Sequence, residues 1–210
     1  MKLLTNLGSI NHLSELKRLF STAEEVTVFV AYLSKAGLKA IEPGLAKATL
    51  KAKSIEFYCG LDGVITDPDA LSSLFKLLAK NSRNNCKLYL VETALETFHP
   101  KIYLFRVAGS HQLVVGSANL TSGGLQNNWE ASALIDGDDV RGLLNEVDIF
   151  RKSLIDIAKP ASTIRLSQYA RRHQIVSKER KEADRRADRE LISVRQLDPN
   201  KVEQYLQQYR

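Results

Sequence analysis

Cysteine is nearly absent from this chain: Cys59 and Cys86 are the only two in 210 residues, and they form no C-x-x-C pair. That excludes a disulfide framework and a cysteine zinc site, and both thiols read as reduced core residues near or within buried strands. No apolar run approaches the length of a membrane span, and the opening MKLLTNLGSINHL lacks the continuous apolar core of a signal peptide. A soluble, cytoplasmic protein is therefore expected, with no membrane partner. No phosphate-cradling glycine loop is present either, since Gly60, Gly63, Gly116, Gly123 and Gly124 are scattered at turns, so hydrolysis of a nucleoside triphosphate is not expected. Histidine is scarce, with four in the chain, and none stands at a familiar metal-ligand spacing. A site built from His99, His111 and Glu130 would have the Lys101 cation beside the ion, so neither a metal nor another cofactor is expected. There is no internal repeat.

What is present is a run of paired polar residues inside apolar sequence. FHPKIYLF and VVGSANLTSGGLQNNWEAS place His99 with Lys101, Ser117 with Asn119, and Asn128 with Glu130, each pair two residues apart. On an extended strand such pairs share a face. Together they supply a nucleophile or base, a cation, neutral hydrogen-bond donors and a carboxylate, which suits phosphoryl chemistry without a metal. Residues 101–106 and 111–116 read as strands joined by a hairpin at Ala108-Gly109-Ser110. In that hairpin position 99 falls opposite roughly 118, so the first two pairs become neighbours. Gly123-Gly124 would permit a tight reversal after a short helical turn, and the run through Trp129, Ala131, Ala133 and Ile135 would return as a strand carrying Glu130.

In this order and spacing, H-P-K, G-S-A-N and N-x-E resemble the HKD motif of the phospholipase D superfamily. They are most similar to its single-motif nuclease branch, which includes a bacterial endonuclease, metal-independent restriction enzymes and nuclease domains beside helicases or other ATPases. The motif portion covers residues 98–136, and a looser likeness runs upstream through VTVFVAYLSKAGL and YCGLDGVITDPDAL and on to about residue 158. One departure stands out: the family's usual Asp, five residues after the Lys, is Arg106 here. Alternation from Lys101 turns position 106 away from the cluster, so its loss should affect support more than chemistry.

The resemblance implies roles. His99 attacks phosphorus and forms a phosphohistidine that water resolves. Lys101, Ser117 and Asn119 bind the non-bridging oxygens, Glu130 accepts a hydrogen bond from the other nitrogen of a histidine, and Asn128 braces its loop. With one motif per chain, the resemblance also implies a homodimer in which two copies of His99 share one site as nucleophile and acid. His12, at a helix start, His111 and His173 lack such company and read as structural or surface residues.

The expected fold class is α/β: a phospholipase D-like mixed β-sheet flanked by helices, with a charged helical C-terminal extension. Periodicity predicts helices over 11–20, 35–51 (interrupted at Pro43-Gly44), 68–80 and 138–158, and strands over 26–32, 55–59 and 86–91. Residues 1–158 form the expected nuclease domain and 159–210 the basic extension for DNA, dimer or partner contact. Residues 165–210 hold twelve Lys or Arg against seven Asp or Glu, which gives +5 of the chain's net +6. SKERKEADRRADRE has no large apolar residue and reads as a solvated helix or a flexible connector. A short amphipathic helix is expected from Asp198. The functional expectation is a metal-independent endonuclease acting on DNA, favoured over RNA, and serving as nuclease subunit of a restriction or defence complex with an ATPase, helicase or other targeting subunit. The alternatives are a ribonuclease, a phospholipid hydrolase, or a non-catalytic binding subunit of a nucleic-acid-processing complex.

Overall fold

The computed structural model describes residues 1–80 and 85–195. Its helices begin where the sequence offers start signals. Asn11 forms a capping box with Ser14 at α1 (His12–Thr22), Ser34 accepts from the Gly37 amide at α2 (Lys35–Lys51), and Asp67 with Pro68 opens α3 (Pro68–Leu78). The strands in chain order are β1 (Lys2–Thr5), β2 (Glu25–Val30), β3 (Ser54–Gly60), β4 (Cys86–Val91), β5 (Lys101–Val107), β6 (Ser110–Gly116), β7 (Ala131–Asp136) and β8 (Ala158–Pro160), with α4 (Asp138–Ser153) after β7. They make one sheet in the order β1-β7-β6-β5-β2-β3-β4-β8. β2, β3 and β4 run parallel because helices connect them, while β5, β6 and β7 are antiparallel neighbours. The result is a mixed sheet flanked by helices.

Strand alternation feeds apolar side chains to both faces of the sheet. Val28, Phe57, Leu88, Tyr103 and Phe105 face α1, α2 and α3 in the main cluster, while Phe29, Tyr58 and Ile102 turn to the other face, where Val147, Phe150 and Leu154 of α4 and its end cover them. Lys101 lies two residues before Tyr103 and pairs in register with Val30, the last residue of β2. The polar end of β5 thus sits at the carboxyl end of the parallel strands, where open α/β sheets leave room for ligands.

Several elements differ from expectation. α2 is continuous through Pro43 because its buried stripe of Leu38, Ile41, Leu45 and Ala48 runs past it, and that packing outweighs a proline cost of about 3 kcal/mol. The β5–β6 turn is the two residues Ala108 and Gly109, both at positive φ, and Ser110 already pairs with Val107. α4 stops at Ser153, short of Ala158, because the chain turns to place Ala158–Pro160 against β4 at the sheet edge, where a proline is tolerated. β7 starts at Ala131, so Trp129 is not part of it and is 88% exposed.

The chain separates into two compact units, Met1–Ala170 and Arg171–Arg210. The first extends past the composition change at Lys159-Pro160 because Leu166 and Tyr169, in the opening turns of α5 (Thr163–Arg195), are buried and the Tyr169 hydroxyl donates to the Thr66 carbonyl at 2.7 Å. In the second, residues 177–190 are helical and almost entirely exposed, the solvated-helix alternative of the two expected for this stretch. The amphipathic helix expected from Asp198 lies outside the described residues. Among the described residues no helix is long and apolar enough to cross a membrane. Both cysteines are free, and burial pushes the Cys59 thiol up to about 12.

Candidate active site

β5 is the central element of the site. The backbone enters it through Pro100, whose carbonyl accepts from the Ala31 amide at 3.0 Å, so His99 and Lys101 are fixed to the end of β2. The loop before His99 is fixed separately. The Asp62 carboxylate accepts from the amides of Thr93 at 3.0 Å and Phe98 at 2.7 Å. His99 is exposed, whereas Lys101 is only 7% exposed. The Lys101 ammonium lies 2.6 Å from His99 Nδ1 and 3.1 Å from Nε2, and donates to the His99 carbonyl at 2.9 Å. Partial desolvation, and then the Lys101 charge, hold the His99 ring below the ordinary histidine value. Burial also lowers Lys101, with Glu130 opposing that shift. A neutral imidazole beside a cation is a nucleophile next to the group that would receive a phosphoryl oxygen.

Ser117, Asn128 and Glu130 form a second group. The Ser117 hydroxyl and Glu130 carboxylate are hydrogen-bonded, Asn128 Nδ2 donates to Glu130 at 3.4 Å, and the Ala131 amide donates to Ser117 Oγ at 3.0 Å. Asn119 Oδ1 accepts from the Tyr32 amide at 3.0 Å, and the Tyr32 ring meets His99 edge-on with centroids 5.6 Å apart. Tyr32 therefore ties Asn119 to the His99 side of the site. Glu130 takes hydrogen bonds from Ser117 and Asn128.

Gly123 and Gly124 do not make a reversal; they lie inside a single π-turn, Gly123–Asn127. A Cβ on Gly124 would run into the backbone of Asn119, so glycine is needed there for close approach. This turn is supported from below by residues that reading the sequence left out of the site. Asn6 Nδ2 donates to the carbonyls of Gly124 at 3.1 Å and Asn128 at 3.0 Å, which leaves its Oδ1 to face His12 Nδ1 at 2.7 Å. His12 Nδ1 must then carry the proton, and Nε2 accepts from Ser132 Oγ at 2.9 Å. His12 is fully buried, and desolvation lowers its pKa, with Glu130 pulling the other way. It is a structural residue, as expected, set directly under the Asn128–Glu130 loop. Its only sequence signal was a polar residue at the start of an amphipathic helix. Arg106 points off the site and donates to Glu25 at 2.8 Å. His111 pairs opposite Arg106, away from the cluster. Among the described residues no three His, Cys, Asp or Glu come together as metal donors.

Residues 16–148 match the family model described as cardiolipin synthase, PLD-like domain. No curated protein matches the chain. Among solved structures the fold is similar to NucT from Helicobacter pylori, with TM-score 0.55 and 14% identity, covering 76% of this chain and 98% of that one. It is also similar to Nuc, a phospholipase D family member from Salmonella typhimurium, with TM-score 0.53 and 12% identity over 77% and 97% of the two chains. Phosphatidylserine synthase from Haemophilus influenzae Rd KW20 gives TM-score 0.62 and 18% identity, covering 91% of this chain but 46% of that one. These likenesses show a shared fold; the family match, which covers more than half of the residues, shows that the chain belongs to the phospholipase D-like domain family.

Proposed function

We propose that the protein is a metal-independent phosphodiesterase that cleaves DNA through a covalent phosphohistidine. The observation that carries this reading is the His99 ring with the buried Lys101 ammonium 2.6 Å away at the sheet end. A ring nitrogen of His99 attacks phosphorus, the P–N bond forms and the bond to the leaving oxygen breaks. Lys101 moves from the ring to a non-bridging oxygen, with Asn119 and Ser117 as neutral donors. The leaving oxygen takes a proton from an acid on the far side of phosphorus. Water then attacks, gives its proton to that same group, and the P–N bond breaks to free His99.

Each chain has a single motif, and its second group of polar residues contains no further histidine. The acid assigned here is His99 of a second protomer, in a homodimer with one composite site. The basic extension, residues 159–210, is assigned to DNA, dimer or partner contact, including an ATPase, helicase or other targeting subunit of a restriction or defence complex. A second reading is transfer or hydrolysis of a phosphatidyl group, favoured by the family description and by the likeness to phosphatidylserine synthase.

Purified protein incubated with labelled DNA, RNA and phospholipid vesicles in excess EDTA tests substrate and mechanism together. DNA cleavage should persist. Loss of cleavage that magnesium or zinc restores would overturn the mechanism, and lipid turnover without nucleic-acid cleavage would keep the chemistry and replace the substrate. Sharing of the site has its own test. After full subunit exchange with His99→Ala chains, activity should follow the square of the wild-type fraction, whereas linear dependence would require an acid within one chain.

A further inference from the structure

Trp129, the one tryptophan of the chain, is 88% exposed, although an indole ordinarily contributes one of the largest buried surfaces in a fold. It stands between Asn128 and Glu130, whose own positions are closely fixed. The Asn128 amide donates to the Gly123 carbonyl at 2.9 Å, its carbonyl accepts from Asn6 at 3.0 Å, and Glu130 is held by Ser117 and Asn128. The Asn128 backbone on one side of the indole and the Glu130 side chain on the other are therefore held while the ring is exposed. That is a rigid aromatic platform, presented at small conformational cost, one residue from the carboxylate bonded to Ser117.

On the reading proposed above, a phosphate sits at His99 and Lys101, and the segment carrying Trp129 adjoins that site through Glu130, Ser117 and Asn119, which Tyr32 ties to His99. We propose that Trp129 is a base-binding subsite: the indole stacks on an unpaired nucleobase next to the scissile phosphate, so the preferred substrate is single-stranded or locally unpaired nucleic acid. Every base has a π-face, so such a platform favours unpaired strands without selecting sequence. The chain around the ring, Gln126, Asn127, Asn128 and Glu130, is polar. A lone ring in polar surroundings suits a stacked base with a wet rim better than a protomer seam, whose centre is a contiguous apolar patch.

Because Trp129 is the sole tryptophan, its emission reports on this position alone. In the non-cleaving His99→Ala protein, a single-stranded oligothymidylate should quench that emission, a matched abasic oligomer should not, and a duplex should do so weakly. With His99 intact, Trp129→Ala should lower kcat/KM on the base-bearing strand by roughly 5- to 100-fold and leave the abasic strand unchanged. Equal quenching by both oligomers, or equal loss on both strands, would overturn the subsite. Emission that changes on dilution without any oligomer would do the same and place the indole between protomers. Base-dependent quenching in a wild-type protein that cleaves neither strand would keep the subsite and remove the nuclease reading, so the two failures are told apart.

Discussion

The two halves of the candidate site are held by different means. Lys101 opens β5 in register with Val30 of β2, and His99 stands just before it, tied to the end of β2 by the Pro100–Ala31 bond, so the sheet aims them. Ser117, Asn128 and Glu130 sit in connections beyond the strand ends and bond one another, and the support beneath their loop comes from more than a hundred positions away, through Asn6 and the buried His12. A ladder is locally redundant, because adjacent bonds specify the same register. A chain of side-chain hydrogen bonds is not, because the loss of one member leaves the others unsatisfied. The first half should therefore fail chemically without disturbing the fold, and the second should fail structurally before any reacting group is touched.

The largest effect should come from the chemical half. Lys101→Met removes a buried ammonium and keeps its volume, so stability should be preserved. The rate of the chemical step should fall by about 10²- to 10³-fold, as expected for one charge-stabilising donor. A pH profile sharpens the point. His99 must be neutral to attack, and it is held below the ordinary 6.5 first by desolvation and then by Lys101. With methionine the second cause disappears, and the acid limb should move to higher pH, with the limb belonging to a coupled pair if two copies of His99 share the site. A limb that stays in place would show that His99 does not feel the Lys101 charge.

A smaller effect on rate and a larger one on stability should follow in the other half. His12→Ala empties a buried position and leaves Asn6 Oδ1 and Ser132 without a partner, at a cost of about 2–4 kcal/mol by denaturant unfolding. The native His12 pKa is depressed below 6.5. The unfolded chain therefore takes up the proton first as pH falls, and the His12 contribution is full above 6.5 and is lost as pH drops towards the native value. Wild-type stability should thus fall on acidification through this window, and His12→Gln should flatten the slope. Equal slopes in the two proteins would mean that His12 is not held neutral.

This contrast also explains what could be read from the sequence. The β5–β6 hairpin has period-two apolar residues and a Gly-containing turn, and its pairing puts position 99 opposite 118, as the observed register of Ile102 with Val115 requires. Lys101, Ser117 and Asn119 could be grouped from that ladder alone. β1 and β8, of four and three residues, are too short to show a period, and they form only as edges against β7 and β4. The roles of Asn6 and His12 depend on β1 pairing with β7, a contact between the two ends of the domain that no local pattern encodes. The same holds for Tyr32: it looked like the last residue of a buried strand, yet its amide and ring meet Asn119 and His99. Trp129 looked like the opening of a strand because apolar residues continue after it, but the π-turn ends at Asn127 and the ladder starts only at Ala131.

The smallest effect should come from Arg106, where the chain departs from the motif it resembles. Its guanidinium lies 2.8 Å from Glu25 and 3.9 Å from Glu24, and about a third of each side chain in the closer pair is exposed. An ion pair of this kind contributes less than about 1 kcal/mol, so Arg106→Ala should be nearly silent in unfolding. It should also leave kcat/KM within about twofold, as for a surface change away from the site. Arg106→Asp is more informative. It restores the residue type the motif usually carries but sets a third carboxylate beside Glu24 and Glu25, so it should be less stable than Arg106→Ala and no more active. A gain in activity on making that aspartate would mean that position 106 acts on the catalytic face after all, through the strand that carries Lys101, and the separation between a chemical half and a supporting periphery would no longer hold for β5.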